Sequence, residues 1–482
     1  MTKKITIEPI TRVEGHGKVT IHIDDEGNIV QSRLHIVEFR GFERFIQGRP
    51  YWEAPVLVQR LCGICPVSHH LAAAKALDVI VGVGQEGLTP TAEKMRRLMH
   101  YGQFFQSHAL HFFHLASPDL LFGVDAPVAK RNVIGVAAEH KDLAIQGVMM
   151  RKFGQELIKV TAGKKIHGTG AIPGGINKNL SIKERDSFLK GNELFNADKM
   201  ISWSKDAISL FKYYHASHKD FIDKFAAFPS NHLSLVRKDG ALDIYHGVLR
   251  AIDADGNKIL HDVDYSHYLD YIGESVKSWS YMKFPFLKQL GTDEGWYRVG
   301  PLARLNTCEF IPTPLAQEEF EEFRAYTKGK TNNMSMHMHW ARLIETLHAA
   351  EVIKGLLEDT DLQKDDLVRK GEKQQEGVGV IEAPRGTLFH HYKINEYDQI
   401  TMANLIVSTT NNNEPMNRAV RSVAEEKLAG KQNITEGMLN AVEVAIRAYD
   451  PCLSCATHAL GKMPLEIELY NTKDELIDQI RN

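Results

Sequence analysis

Four of the five cysteines in this 482-residue chain form two C-x-x-C pairs, Cys62/Cys65 and Cys452/Cys455, and Cys308 stands alone. Cys65 and Cys452 are 387 positions apart. Two thiolate pairs make a complete set of soft metal ligands, and they can serve one site only where the two ends of the chain meet. That demand favours a single large domain over a string of modules. An odd cysteine count in a chain without an export signal also argues against a disulfide framework and for metal or redox chemistry. Spacing leaves the metal open. Structural zinc sites usually bring their pairs within about 15–20 residues, a thioredoxin-like pair explains only one C-x-x-C, and an iron–sulfur cluster fits on ligand type alone.

The rest of the composition narrows the field. Hydrophobic residues are 43%, charged residues 25% and the net charge −3, as in an ordinary soluble globular protein. A near-neutral chain gives no electrostatic case for a nucleic-acid partner. No apolar run approaches the ~20 residues that cross a bilayer, and the opening MTKKITIEPITRVEGHG has no apolar stretch of the signal-peptide kind. The expectation is a cytoplasmic protein without a membrane span.

Residues 18–38 predict a hairpin, with Val19, Ile21 and Ile23 alternating on one strand, Val30, Ser32, Leu34 and Ile36 on the other, and Asp25–Asn28 as the turn. Thr89 and Pro90 open a helix that carries Met95, Leu98, Met99, Gly102, Phe105, Ala109 and Phe112 on one face. Residues 168–180 read as a glycine-rich loop, followed by a Ser181/Glu184 capping box. Asp239-Gly240 and Asp255-Gly256 punctuate a β-rich patch at 233–263. Trp340, Leu343, Ile344, Leu347 and Ala350 mark a further helix, and Lys370–Gly379 reads as a loop.

The residues flanking the cysteine pairs say more. R-x-C-G-x-C spans Arg60–Cys65, and D-P-C-x-x-C-x-x-H spans Asp450–His458. TRVEGH at 11–16, FRGFE at 39–43, HGTGAIPGG at 167–175 and EAPRG at 382–386 lie between and before them. The set resembles the large subunit of nickel–iron hydrogenases, and the stretches WEAPVLVQRLCGICPVSHH and DPCLSCATHALG are similar to the cytoplasmic bidirectional, NAD-coupled type. The resemblance implies an α+β, mainly helical fold: one large catalytic domain over residues 1–458, with a central helix bundle and peripheral β-hairpins. It also implies an extension at 459–482 that a maturation peptidase removes after His458, although Leu465, Ile467 and Leu469 alternate there as in a half-buried strand. The implied activity is reversible heterolytic cleavage of H2. The electrons would pass through an iron–sulfur small subunit, then on to flavin- and iron–sulfur-containing NAD(P)-reactive subunits, because this chain has no cysteines spare for a relay.

Roles follow from the same resemblance. Cys62, Cys65, Cys452 and Cys455 would hold nickel, Cys65 and Cys455 bridging it to an iron that carries carbon monoxide and cyanide. Arg385 and Thr409 would contact those cyanides. Arg is effectively always protonated, so the thiolate of Cys452 is the easier base, and Glu14 would be the first proton carrier away from it. Glu43 and His458, with a backbone carbonyl near Leu405, would form a separate site for Mg²⁺ or a similar divalent ion. Many respiratory relatives carry an aspartate where this chain has Ser107, which leaves Asp450 as the acid near the metals. Cys308 matches no motif and reads as a small buried hydrophobe. Two rival classes stand beside this reading. One is a non-catalytic scaffold related to the quinone-site subunit of respiratory complex I, against which the retained cysteine pairs argue. The other is a binding protein structured by a four-cysteine zinc site.

Overall fold

A computed structural model describes residues 3–457, 466–471 and 475–481. Its centre is the Pro90–Leu110 helix. Thr89 caps it by accepting a hydrogen bond from the Ala92 N–H, and Pro90 sits in the first turn where its missing donor costs nothing. The periodicity predicts one buried face, but the helix is enclosed almost all round: Arg96, His100, Gln103 and Ser107 are as inaccessible as Met95 and Leu98. Helices Lys141–Ala162 and His337–Glu358 pack along it, and Pro66–Ile80 touches a third side. Its polar residues tolerate burial because they are paired. Arg96, for example, meets Asp78 at 2.6 Å, and removing one partner of such a pair would strand the other charge.

The N-terminal hairpin forms as expected, Gly17–Ile23 against Ile29–Ile36, with Lys3–Ile7 added as a third strand. One side chain is on the other face. Val30 is exposed and Ile29 buried, because a bulge beside Ile23 shifts the register there and reverses the alternation. The glycine-rich loop holds a two-residue hairpin, Ala171–Ile172 against Gly175–Ile176, and the Ser181/Glu184 capping box is complete. The second β patch is a four-stranded sheet in which Tyr297–Arg298, Asn231–Val236, Val248–Ile252 and Lys258–Val263 lie side by side.

A further antiparallel sheet, Glu376–Ala383, Gly386–Ile394 and Ile400–Ile406, runs through the interior. It begins inside the stretch expected to be a loop, so Lys370–Gly379 is loop only as far as Gln375. Its glycines make room rather than a turn. A Cβ on Gly377 would lie 2.1 Å from the Ala76 carbonyl, and one on Gly379 2.4 Å from that of Ala72. The strand can therefore lie directly on the Pro66–Ile80 helix.

Segments near the two ends of the chain meet. Arg447, on the Glu436–Ala448 helix, donates to the Thr11 carbonyl at 3.0 Å and to Asp119 at 2.8 Å. Glu14 then pairs with Cys452 in a parallel bridge. Beyond the core, Glu466–Tyr470 pairs with Leu476–Arg481. The strand expected around Leu465, Ile467 and Leu469 thus forms, with Leu469 55% exposed; Leu465 lies outside the described residues. No described helix is long and apolar enough to cross a membrane.

Candidate metal centre

Cys62 ends a short 3-10 turn at Val58–Leu61, and Cys65 is the N-cap of the Pro66–Ile80 helix. The Cys62 sulfur accepts the N–H groups of Ile64 at 3.2 Å and Cys65 at 3.1 Å. Burial opposes ionising Cys62, yet its hydrogen bonds with Cys65 and the nearby Arg385 hold its thiol below the ordinary range. Cys65 is pushed up by sharing with Cys62 and by burial.

The second pair arrives from the other end. Asp450 adopts a left-handed conformation, φ 53°, that ends the Glu436–Ala448 helix and turns the chain into Pro451 and Cys452. The four sulfurs then lie within 4.8 Å of one another, all from buried residues. Cys62 is 3.3 Å from Cys452, and Cys65 is 3.9 Å from Cys455. Cys452 and Cys455 are in disulfide contact with each other, and reducing that bond would free both sulfurs as ligands. Cys308 stays apart in the hydrophobic core, where burial pushes its thiol up to about 12.

A small cavity of about 10 Å³ adjoins the sulfurs, walled by Cys65, Ser68, His69, Arg385, Thr409 and Cys452. Arg385 reaches it from the tight turn between Glu376–Ala383 and Gly386–Ile394. Its Nε donates to the Asp450 carbonyl at 2.5 Å and a terminal nitrogen to the Asp450 carboxylate at 3.0 Å. The Ser107 hydroxyl stands 3.5 Å from the other terminal nitrogen. Burial works against the charge on Arg385, but Asp450 and the Cys65 and Cys62 sulfurs outweigh it and keep the guanidinium protonated. Thr409 accepts the Cys452 N–H at 2.9 Å, so its hydroxyl positions a cysteine as well as facing the cavity. The buried Ser68 hydroxyl on the same wall has no hydrogen-bond partner among the described residues.

On the far side of Cys452 stands Glu14. The Cys452 sulfur lies 2.9 Å from its Oε2, the Ser454 N–H donates to the same oxygen at 3.2 Å, and the Ser454 hydroxyl donates to Oε1. Gly15 permits the approach: its φ is +83°, and a Cβ there would lie 2.6 Å from the Ser454 nitrogen.

Glu43 is separate from this cluster. It accepts the Leu405 N–H at 2.8 Å, and burial raises its carboxyl to about 7. His458 lies outside the described residues. The chain just before it does reach this region, since Arg40 donates its backbone N–H to the Thr457 carbonyl at 3.0 Å. Sequence reasoning brings together the cysteines, Glu14, Arg385, Thr409 and Asp450, and misses Ser68, His69 and Ser454. The first two follow Cys65 in the first turn of its helix, a signal that spacing could have carried. Ser454 sits inside the second pair, where nothing in its type distinguishes it.

The model of the nickel-dependent hydrogenase family matches residues 40–131 and 129–458, and a HoxL-like family model matches residues 4–39. The chain belongs to the nickel-dependent hydrogenases. It is 56% identical to the NAD-reducing hydrogenase HoxS subunit beta of Cupriavidus necator, over 99% of each chain. It is 42% identical to a chain of the F420-non-reducing hydrogenase of Methanothermobacter thermautotrophicus, covering 99% of this chain and 100% of that one. Among solved structures, an NAD+-reducing [NiFe]-hydrogenase in the H2-reduced state superposes with a TM-score of 0.91 at 55% identity, covering 95% of this chain and 99% of that one. A [NiFeSe]-hydrogenase of Dm. baculatum, 24% identical with a TM-score of 0.74, shares the fold. This chain is therefore the catalytic subunit of a nickel–iron hydrogenase. Neither the scaffold nor the zinc-protein reading finds support in these matches.

Proposed function

We propose that the chain cleaves and forms H2 at a nickel–iron centre held by Cys62, Cys65, Cys452 and Cys455, and passes electrons through an iron–sulfur partner to NAD(P). The observation that carries this reading is the convergence of four buried sulfurs, from segments 387 positions apart, with a carboxylate oxygen 2.9 Å from one of them. Four soft donors suit a late first-row metal. An unpartnered Ser68 hydroxyl and the Arg385 cation on the cavity wall suit polar, anionic ligands such as cyanide on the iron. When bound, the metal pair supplies the acceptor for the two electrons of the H–H bond.

The chain's own residues manage the proton. Once the Cys452–Cys455 bond is reduced, Cys452 takes it on its sulfur and hands it to Glu14 Oε2, 2.9 Å away. Arg385, fixed on Asp450, remains a cation throughout and stabilises negative charge in a water-poor cavity. Thr409 holds the Cys452 backbone and so its sulfur. Glu43, with His458 and the backbone at Leu405, forms our second site, for Mg²⁺ or a similar ion; a half-buried carboxylate three residues along from Arg40, whose N–H holds the Thr457 carbonyl, is a suitable hard donor.

Phe39, Phe45 and Trp52, each about half exposed, lie on the segment leading to Cys62 and suit a docking face for the iron–sulfur partner. The NAD(P)-reactive subunits and a cytoplasmic location follow from the likeness to the NAD-reducing relatives. A maturation peptidase would cut after His458, leaving residues 1–458 as the working domain. Two matches favour this. The family match ends at 458, and the solved NAD+-reducing relative, itself 99% covered, leaves 5% of this chain without a counterpart. The test of the coupling is H2-driven reduction of NAD+ and NADP+ by the purified complex. Reduction of either, lost when the partners are stripped away, is expected; a complex that oxidises H2 with dyes and reduces neither nucleotide contradicts it.

A further inference from the structure

We propose that Arg304 is a positioning residue for Arg385, fixing from behind the turn that aims the Arg385 guanidinium at the metal cavity; the proposal rests on the role given above to Arg385. Arg304 lies on the short helix Pro301–Thr307 and is completely buried. Its fork is fully used. Nε and one terminal nitrogen meet the two oxygens of Glu345 at 2.6 and 2.7 Å. The other terminal nitrogen donates to Glu382 at 2.8 Å and to the Ala383 carbonyl at 2.9 Å, while the Pro384 carbonyl accepts at 3.1 Å. Three consecutive residues immediately before Arg385 are thus tied to one planar group.

The anchor points are themselves rigid. Glu345, on the His337–Glu358 helix, also meets His108 at 2.9 Å; although burial opposes it, Arg304 and His108 keep its carboxyl down at about 2. The second oxygen of Glu382 accepts the Leu235 N–H and the Thr387 hydroxyl, each at 2.8 Å. Gly300, just before the Arg304 helix, lies so close that a Cβ on it would stand 2.9 Å from the Arg385 carbonyl. On the cavity side, by contrast, the Arg385 side chain is held, among the described residues, by Asp450 and the more distant Ser107 hydroxyl. Its aim is therefore set from the backbone. Lysine cannot replace the fork, because a single ammonium cannot reach two carboxylates and two successive carbonyls from one point.

The test compares Arg304→Lys, Arg385→Lys and the double variant in the intact complex. We expect Arg304→Lys to keep its circular dichroism and nickel content and to leave KM for H2 unchanged. Its kcat should fall about 10- to 100-fold, the scale of a 1 Å misplacement of a catalytic group. The double variant should be no slower than Arg385→Lys alone, and a crystal structure of Arg304→Lys should show the Arg385 guanidinium displaced from Asp450. Wild-type kcat in Arg304→Lys beside an impaired Arg385→Lys overturns the proposal alone, as do additive losses or an undisplaced Arg385. Full activity in Arg385→Lys removes the underlying reading and the proposal with it. Should Arg304→Lys fail to fold, a crystal structure of the wild-type complex decides: contacts from Arg304 to the Ala383 and Pro384 carbonyls support the proposal, and their absence overturns it.

Discussion

Glu14 has nothing in its type or neighbours to mark it as more than an acid beside a strand; its function depends on where Gly15 and Ser454 allow it to stand. Replacing Glu14 with Gln keeps the shape and the Ser454 contact and removes the ability to carry a proton. We expect Glu14→Gln to suppress H2 oxidation and H/D exchange about 100-fold or more, with para/ortho-H2 conversion, which needs no proton exit, largely intact. Normal H/D exchange in that variant returns Glu14 to a structural role. Cys308 is the counter-case. Its thiol, pushed up to about 12 in an apolar core, has no reason to ionise or bind metal. Cys308→Ala should cost about 1 kcal/mol of stability, a typical single-substitution loss, without changing nickel content or H2 turnover; loss of nickel would assign it a role it has not been given. The four site cysteines were legible because pair spacing and flanking motifs coincide. Ser454 and Ser68 were not, because a serine's role is decided by what packs across from it.

At the scale of elements, capping chemistry read well and glycine read badly. Thr89-Pro90 and Ser181/Glu184 announce helix starts by local hydrogen bonding, which sequence records directly. Gly377 and Gly379 break local strand propensity, so their segment read as a loop; the close approach of the Pro66–Ile80 helix that requires them is a tertiary fact. Gly379→Val tests this. Its Cβ would meet the Ala72 carbonyl at 2.4 Å and the Ala76 nitrogen at 2.5 Å, both rigid helix backbone. A loss of about 1–3 kcal/mol is expected from overpacking, read as a lower melting temperature. Because the same helix begins at Cys65, nickel retention should fall with it. An unchanged melting temperature would mean that the strand can move off the helix.

At the scale of the whole molecule, one constraint organises everything: residues near both ends must reach one point. The Arg447–Thr11–Asp119 ties and the Glu14–Cys452 bridge meet it, and the C-terminal cysteines arrive last in the chain. Processing after His458 is expected to close that end, so intact-mass measurement on active enzyme should find a catalytic chain ending at His458. Active enzyme that retains Asn482 would make the tail part of the working structure. The convergence of four sulfurs on one nickel is the central claim, and nickel K-edge X-ray absorption on the intact, active complex tests it most directly. We predict a nickel ion surrounded by sulfur, with about four sulfur neighbours from the two cysteine pairs, and an iron beside it. A nickel shell of nitrogen and oxygen, or full H2 activity in a complex that holds no nickel, would contradict the account.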